Sequence, residues 1–204
     1  MVFLCRVASL NPLYNSVIKM NGKQNQIHKA NHDQSIVFKI SAAAIFAALV
    51  AVATLLFVVP IPATSGYFNL GETLIYVAAL LLGPLVGAVA GAGASIADMI
   101  AAPVYAPGTL VIKAIEGFLV GYIAKKLNQK TRNLTLSASI AIVIGGLEMV
   151  AGYFIYEQVV LGVPFAGALA EVPFNIIQMA VGLVIAVPVM HAVMRVFPQL
   201  KSYL

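Results

Sequence analysis

Apolar residues run in long stretches along most of this chain, and polar residues collect between the stretches instead of alternating within them. A helix needs roughly 20 apolar residues to cross a bilayer, and from Ile36 onward the stretches approach that length. The pattern predicts spans over 37–59, 72–82, 85–102, 109–127 and 134–156, with a sixth inside 168–197. Breaks fall where the backbone chemistry demands them. Pro60-Ile61-Pro62 closes the first span, Gly83-Pro84 turns the second into the third, and residues 103–108 interrupt the chain again. The second stretch is too short for a full crossing, so it is either a short helix or one that begins in the 67–70 loop. In the sixth, Pro173 falls near the helix start and Pro188 at a kink, both tolerated in membrane helices. No helical-solenoid repeat is visible.

The expected fold is therefore all-α: an integral membrane bundle of six transmembrane helices over residues 37–197. A polar cytoplasmic leader, 1–36, precedes it and a short cytoplasmic tail, 198–204, follows. The leader has no long apolar core and no small-residue cleavage site, so it does not read as a secretory signal. Met20 opens a plain polar stretch and is an alternative start.

Composition agrees with lipid as the solvent. Of 204 residues, 61% are hydrophobic and 9% charged, against about a quarter charged in soluble domains; the mean hydropathy is +0.97. The single cysteine, Cys5, excludes an internal disulfide and a cysteine-built metal site. The net charge of +5 suggests nucleic acid only until its placement is considered. Arg6, Lys19, Lys23, Lys29 and Lys39 precede the first span, Lys125, Lys126, Lys130 and Arg132 separate the fourth from the fifth, and Arg195 and Lys201 follow the sixth. With six spans all three regions fall on one side, which the positive-inside rule makes cytoplasmic. Only Lys113 departs. The expected location is the cell (plasma) membrane, multi-pass, with both termini cytoplasmic. The Asn133-Leu134-Thr135 sequon then lies inside and carries no glycan.

Ionisable groups inside a bilayer cost a few kcal/mol each and usually face a cavity, water or a partner. Asp33 is in the leader, but Glu72, Asp98, Glu116, Glu148, Glu157 and Glu171 all lie in or at the ends of spans. Topology puts Glu72, Asp98, Glu157 and Glu171 at the outer ends and Glu116 somewhat deeper. Lys113 is one turn from Glu116; a local ion pair and a ligand contact are equally open. Glu171, Asn175 and Gln178 follow i, i+4, i+7 spacing, which aligns three hydrogen-bonding side chains on one helix face. Polar glue between helices is the plainer alternative. Tyr67, Asn69, Tyr105, Tyr153 and Tyr156 gather on the same side, although single tyrosines at that depth often serve only as interface anchors. Together these residues describe an outward-facing site with aromatic walls, suited to a small, flat, hydrogen-bonding ligand. The candidate binding residues are Asn69, Glu72, Tyr105, Lys113, Glu116, Tyr153, Glu171, Asn175 and Gln178. Acids outnumber the single lysine there, so an anionic guest is disfavoured and a neutral or cationic ring is favoured.

Small residues form a second pattern. Gly83, Gly87, Gly91 and Ser95 repeat every fourth position, as do Gly117 and Gly121, which is the pattern of close helix packing. On the first helix Ala43/Ala47 and Ala44/Ala48 repeat in the same way, either as packing or as a flat face for another membrane subunit. No phosphate loop of the form G-x-x-x-x-G-K-[ST] occurs, nor H-E-x-x-H, nor G-x-S-x-G. No catalytic residue, metal ligand or cofactor is called for. His28, His32 and His191 lie away from the acidic cluster.

Several stretches carry a family resemblance. Tyr67-Phe68-Asn69-Leu70-Gly71-Glu72, the run from Ala78 to Ala88, the run from Ala106 to Gly117, and Glu171-Val172-Pro173-Phe174-Asn175-Ile176-Ile177-Gln178 followed by Gly182 resemble the S components of energy-coupling factor vitamin transporters. The resemblance covers about residues 35–196 and is closest to the riboflavin-type branch, which also holds proteins assigned to pyrimidine or pyridoxine-like precursors. It implies a six-helix subunit that binds a vitamin from outside without fixing which one; with the acidic mouth, riboflavin, a hydroxymethylpyrimidine or a pyridoxine-like compound is expected. The implied partners are a transmembrane coupling subunit and two cytosolic ATPase subunits. The family's A-x-x-x-A docking motif matches Ala43/Ala47 or Ala44/Ala48, and separate ATPase chains fit the missing phosphate loop. A membrane scaffold or channel-like protein is the alternative, and a small intramembrane enzyme a more distant one.

Overall fold

The computed structural model describes residues 36–61, 64 and 66–203. Cys5, Met20, His28, His32 and Asp33, and with them the expectations for the leader, lie outside the described residues. The chain divides after Ile40: residues 36–40 are helical, and the unit Ser41–Leu204 carries everything that follows.

The first helix, α1, is Ile36–Leu56. Two short strands follow, β1 (Val59–Pro60) and β2 (Tyr67–Phe68), paired antiparallel with Val59 opposite Phe68 and Pro60 opposite Tyr67. Then come α2 (Gly71–Leu82), α3 (Pro84–Ala101), α4 (Ala106–Thr131), α5 (Leu134–Val159) and α6 (Phe165–Val196), before a 3₁₀ turn at Pro198–Tyr203. All six predicted helices are present. Five are long and apolar enough to cross a membrane, and α2 is shorter. Its 12 residues rise only about 18 Å.

The reason α2 survives at that length is burial. It is apolar around nearly its whole circumference, which suits a helix enclosed by others, and Ile75, Tyr76, Ala78, Ala79 and Leu80 are fully buried. It packs against α3, α4 and α6. Gly83, at φ 90°, makes the turn into α3, a conformation that favours glycine.

The two glycine rows turn out to be one seam. A side chain on Gly87 would strike the Gly117 carbonyl, one on Gly91 the Lys113 carbonyl, and one on Gly121 the backbone at Gly83 and Pro84. Antiparallel α3 and α4 therefore meet backbone to backbone, which small residues permit. Ser95 extends the seam by donating to the Ala106 carbonyl at 2.7 Å.

Several boundaries differ from the expectation. The break at 103–108 is shorter, because α4 begins at Ala106 with Pro107 in its first turn, where a missing N–H costs no hydrogen bond. The basic stretch lies within α4 up to Thr131, and α6 begins at Phe165 and stays helical through both Pro173 and Pro188. Asn133 has a structural role: its side chain caps α5 by accepting from the Leu136 N–H at 3.0 Å. The β-hairpin was not expected at all.

Candidate functional site

On α6 every third or fourth residue near the start turns inward. Glu171, Asn175 and Gln178 are buried, whereas Pro173, Phe174, Ile176 and Ile177 between them are exposed. The inward row meets the end of α3, the link into α4, the last third of α5 and the chain leaving the hairpin. Between them is a cavity of about 30 Å³ lined by Gly66, Tyr67, Asn69, Asp98, Tyr105, Tyr153, Glu171, Asn175 and Gln178. The hairpin forms one side, and it fits closely: a Cβ on Gly66 would collide with the Glu171 carboxylate.

The walls are held by hydroxyl groups. Asp98 accepts from the Tyr67 and Thr109 hydroxyls, and the Thr109 and Tyr153 hydroxyls share a hydrogen bond at 2.9 Å. Glu171 accepts from the Thr64 hydroxyl, and the Tyr105 hydroxyl donates to Glu157 Oε1 at 3.2 Å. Tyr105 lies 6.3 Å, centroid to centroid, from both Tyr153 and Tyr156, a spacing normal for aromatic pairs. Burial, reinforced by the bond to Asp98, pushes the Tyr67 phenol well above its ordinary range, so it remains a donor. Among the described residues the Asn175 side chain has no hydrogen-bond partner, although it is only 6% exposed.

Behind the lining is a second cluster. Lys113 is ion-paired to Glu72 and, at 3.2 Å, to Glu116. The Tyr76 hydroxyl donates to Glu116 Oε1 at 2.8 Å. Glu72, Lys113 and Glu116 are at most 3% exposed, and none is among the lining residues. Gln178 joins the two clusters: its amide nitrogen donates to Glu72 at 3.1 Å, and its amide oxygen accepts from the Asn69 N–H at 2.9 Å. Asn69 in turn accepts from the Gly71 N–H at 3.0 Å, so the chain leaving the hairpin is tied to α6 and to the start of α2.

Six of the nine candidate residues thus meet at the cavity: Asn69, Tyr105, Tyr153, Glu171, Asn175 and Gln178. Glu72, Lys113 and Glu116 sit behind it, engaged with one another. The expected Lys113–Glu116 pair forms, but Lys113 also reaches across to Glu72 on another helix. The candidate set lacked three lining residues, Gly66, Tyr67 and Asp98. An aspartate in the last turn of an Ala/Gly-rich helix was a readable signal for Asp98; the position of Gly66 depends on the hairpin.

On α1 the alanine rows separate. Ala43 is buried, and the Ala47 backbone is so close that a Cβ on Gly93 would collide with it; further along, Val50 and Thr54 face Gly71. Ala44 and Ala48 are exposed.

Comparisons with known proteins accord with this arrangement. The family model for the ECF-type riboflavin transporter S component matches residues 35–195. A curated Pyrococcus woesei sequence, described as an uncharacterized protein in gap 3'region, is 42% identical over 137 residues, covering 67% of this chain and 88% of its own length. Among solved structures, the S component for biotin from an ECF-type ABC transporter superposes with a TM-score of 0.59 at 21% identity, covering 76% of this chain and 92% of that one. The S component of a bacterial ECF transporter gives 0.61 at 16% identity, covering 78% and 96%. At these identities the structural likeness speaks to the fold alone.

Proposed function

The chain belongs to the family of ECF-type riboflavin transporter S components, and from that premise we propose that it captures a small ring vitamin from outside the cell for ATP-driven uptake. At the coarser level it is a multi-pass membrane protein and the substrate-binding subunit for a vitamin, not an enzyme. That membership displaces the scaffold, channel and enzyme readings.

One observation supports the outward-facing reading above the others. The cavity lies at the Tyr105 end of α4, and Lys125, Lys126, Lys130 and Arg132 lie at the other. The 26 residues of α4 separate those ends by about 39 Å, and clustered lysine and arginine mark the cytoplasmic side. With both termini cytoplasmic, the cavity opens toward the outside. Asn175 offers an uncommitted amide to a guest, and Tyr67, Tyr105 and Tyr153 offer ring surfaces. Asp98 and Glu171 disfavour anions. The substrate class is a neutral or cationic ring: riboflavin, a hydroxymethylpyrimidine or a pyridoxine-like compound.

The partners are a transmembrane coupling subunit and two cytosolic ATPases. The exposed Ala44 and Ala48 are the face for the coupling subunit, because Ala43 and Ala47 are turned into the bundle. Replacing Ala44 and Ala48 by leucine abolishes uptake in cells and leaves ligand affinity of the purified chain unchanged. Uptake that persists in the double variant removes this face from the docking surface.

A further inference from the structure

Charge at the cavity is one-sided. Asp98 and Glu171 line it, and among the described residues no basic side chain does. Asp98 is held by the hydroxyls of Tyr67 and Thr109 and Glu171 by that of Thr64, which supply hydrogen bonds and no compensating charge; Glu171 also neighbours the Glu157 carboxyl. Lys113, the nearest cation, is 5.6 Å from the Tyr153 ring centroid, but Glu72 and Glu116 already claim it, two carboxylates to one ammonium.

One lining group is incomplete: among the described residues the Asn175 amide, only 6% exposed, has no hydrogen-bond partner. Buried polar groups normally have partners, and buried charges are normally paired. A guest that brings hydrogen-bonding groups and positive charge answers the Asn175 amide and the Asp98 and Glu171 carboxylates together. The tyrosines suit the same guest, because aromatic faces attract cations when water is excluded.

We infer that the cavity selects a heterocycle carrying a positive charge, as an ammonium or a protonated amidine edge, over an uncharged ring. The inference rests on the vitamin-binding reading of the site and narrows it. Charge-assisted hydrogen bonds to Asp98 or Glu171 supply the discrimination, since they are about twice as strong as neutral ones.

The test is equilibrium binding to the detergent-purified full chain of pyridoxamine, pyridoxine and riboflavin, the first two differing by an amino group in place of a hydroxyl. Pyridoxamine binds about tenfold or more tightly than pyridoxine, and Glu171→Gln or Asp98→Asn narrows that gap to about twofold. Thermal unfolding of both variants confirms that they are folded. Equal affinities for the pyridine pair, or riboflavin binding most tightly, overturn the charge inference and leave the vitamin-subunit reading standing. Failure of all three to bind, with assembly onto a coupling subunit intact, likewise overturns only the inference. Absence of both binding and assembly overturns the wider reading as well.

Discussion

Two buried polar clusters lie one behind the other in this protein, and they are built on opposite rules. In the floor, Glu72 and Tyr76 of α2 meet Lys113 and Glu116 of α4, with a lysine between two carboxylates and Glu72 Oε1 left without a partner. In the wall, Asp98 and Glu171 are held by hydroxyls, and Asn175 is held by nothing among the described residues. Both clusters are almost free of solvent, so burial does not distinguish them. Charge does. The floor has a lysine between its carboxylates, whereas the cavity wall has two carboxylates and an amide with no cation among the described lining residues; on the proposed reading, the wall is where a guest binds. Gln178 belongs to both, which gives the comparison its sharpest test.

The floor should break first. Lys113→Leu leaves two carboxylates buried without a counter-charge, a type of loss worth about 3–5 kcal/mol. The expected result is a large fall in thermal midpoint or loss of folded protein in detergent. Replacing Glu72, Lys113 and Glu116 together by leucine restores much of the stability, since no lone charge remains.

Gln178→Ala comes next and affects both properties. It removes the bonds to Glu72 and to the Asn69 N–H, so both stability and ligand affinity fall, the latter about ten- to a hundred-fold. Thermal unfolding and titration on one preparation separate the two effects. Tyr67→Phe is the mildest. It deletes a single hydroxyl bond to Asp98, worth about 1 kcal/mol, and titration should show about a fivefold weakening.

The sequence exposed the helices because each is a long apolar run, and it exposed Glu171, Asn175 and Gln178 because helical spacing puts them on one face. Their neighbours Phe174, Ile176 and Ile177 meet lipid-facing surroundings, so the polar row stands out by contrast. It could not expose the hairpin: two-residue strands have no period to detect, and Tyr67 reaches Asp98 only because the chain doubles back. Nor could it reveal that Lys113 pairs with Glu72, 41 positions away. The glycine rows showed close packing but not their partner, which is why the α3–α4 seam appeared only in three dimensions. The alanine rows on α1 were equivalent in sequence, and only the presence of Gly93 beside Ala47 distinguishes inside from outside.

Asn175 carries the central claim, because among the described residues its buried amide has no hydrogen-bond partner and the proposed reading assigns it to a guest. The direct measurement is ligand affinity and thermal midpoint for Asn175→Ala beside the parent chain. Affinity should fall about ten- to a hundred-fold, as expected for losing a buried hydrogen-bond partner, with the midpoint unchanged. A midpoint that falls while affinity stays the same would place Asn175 in the scaffold and contradict the account.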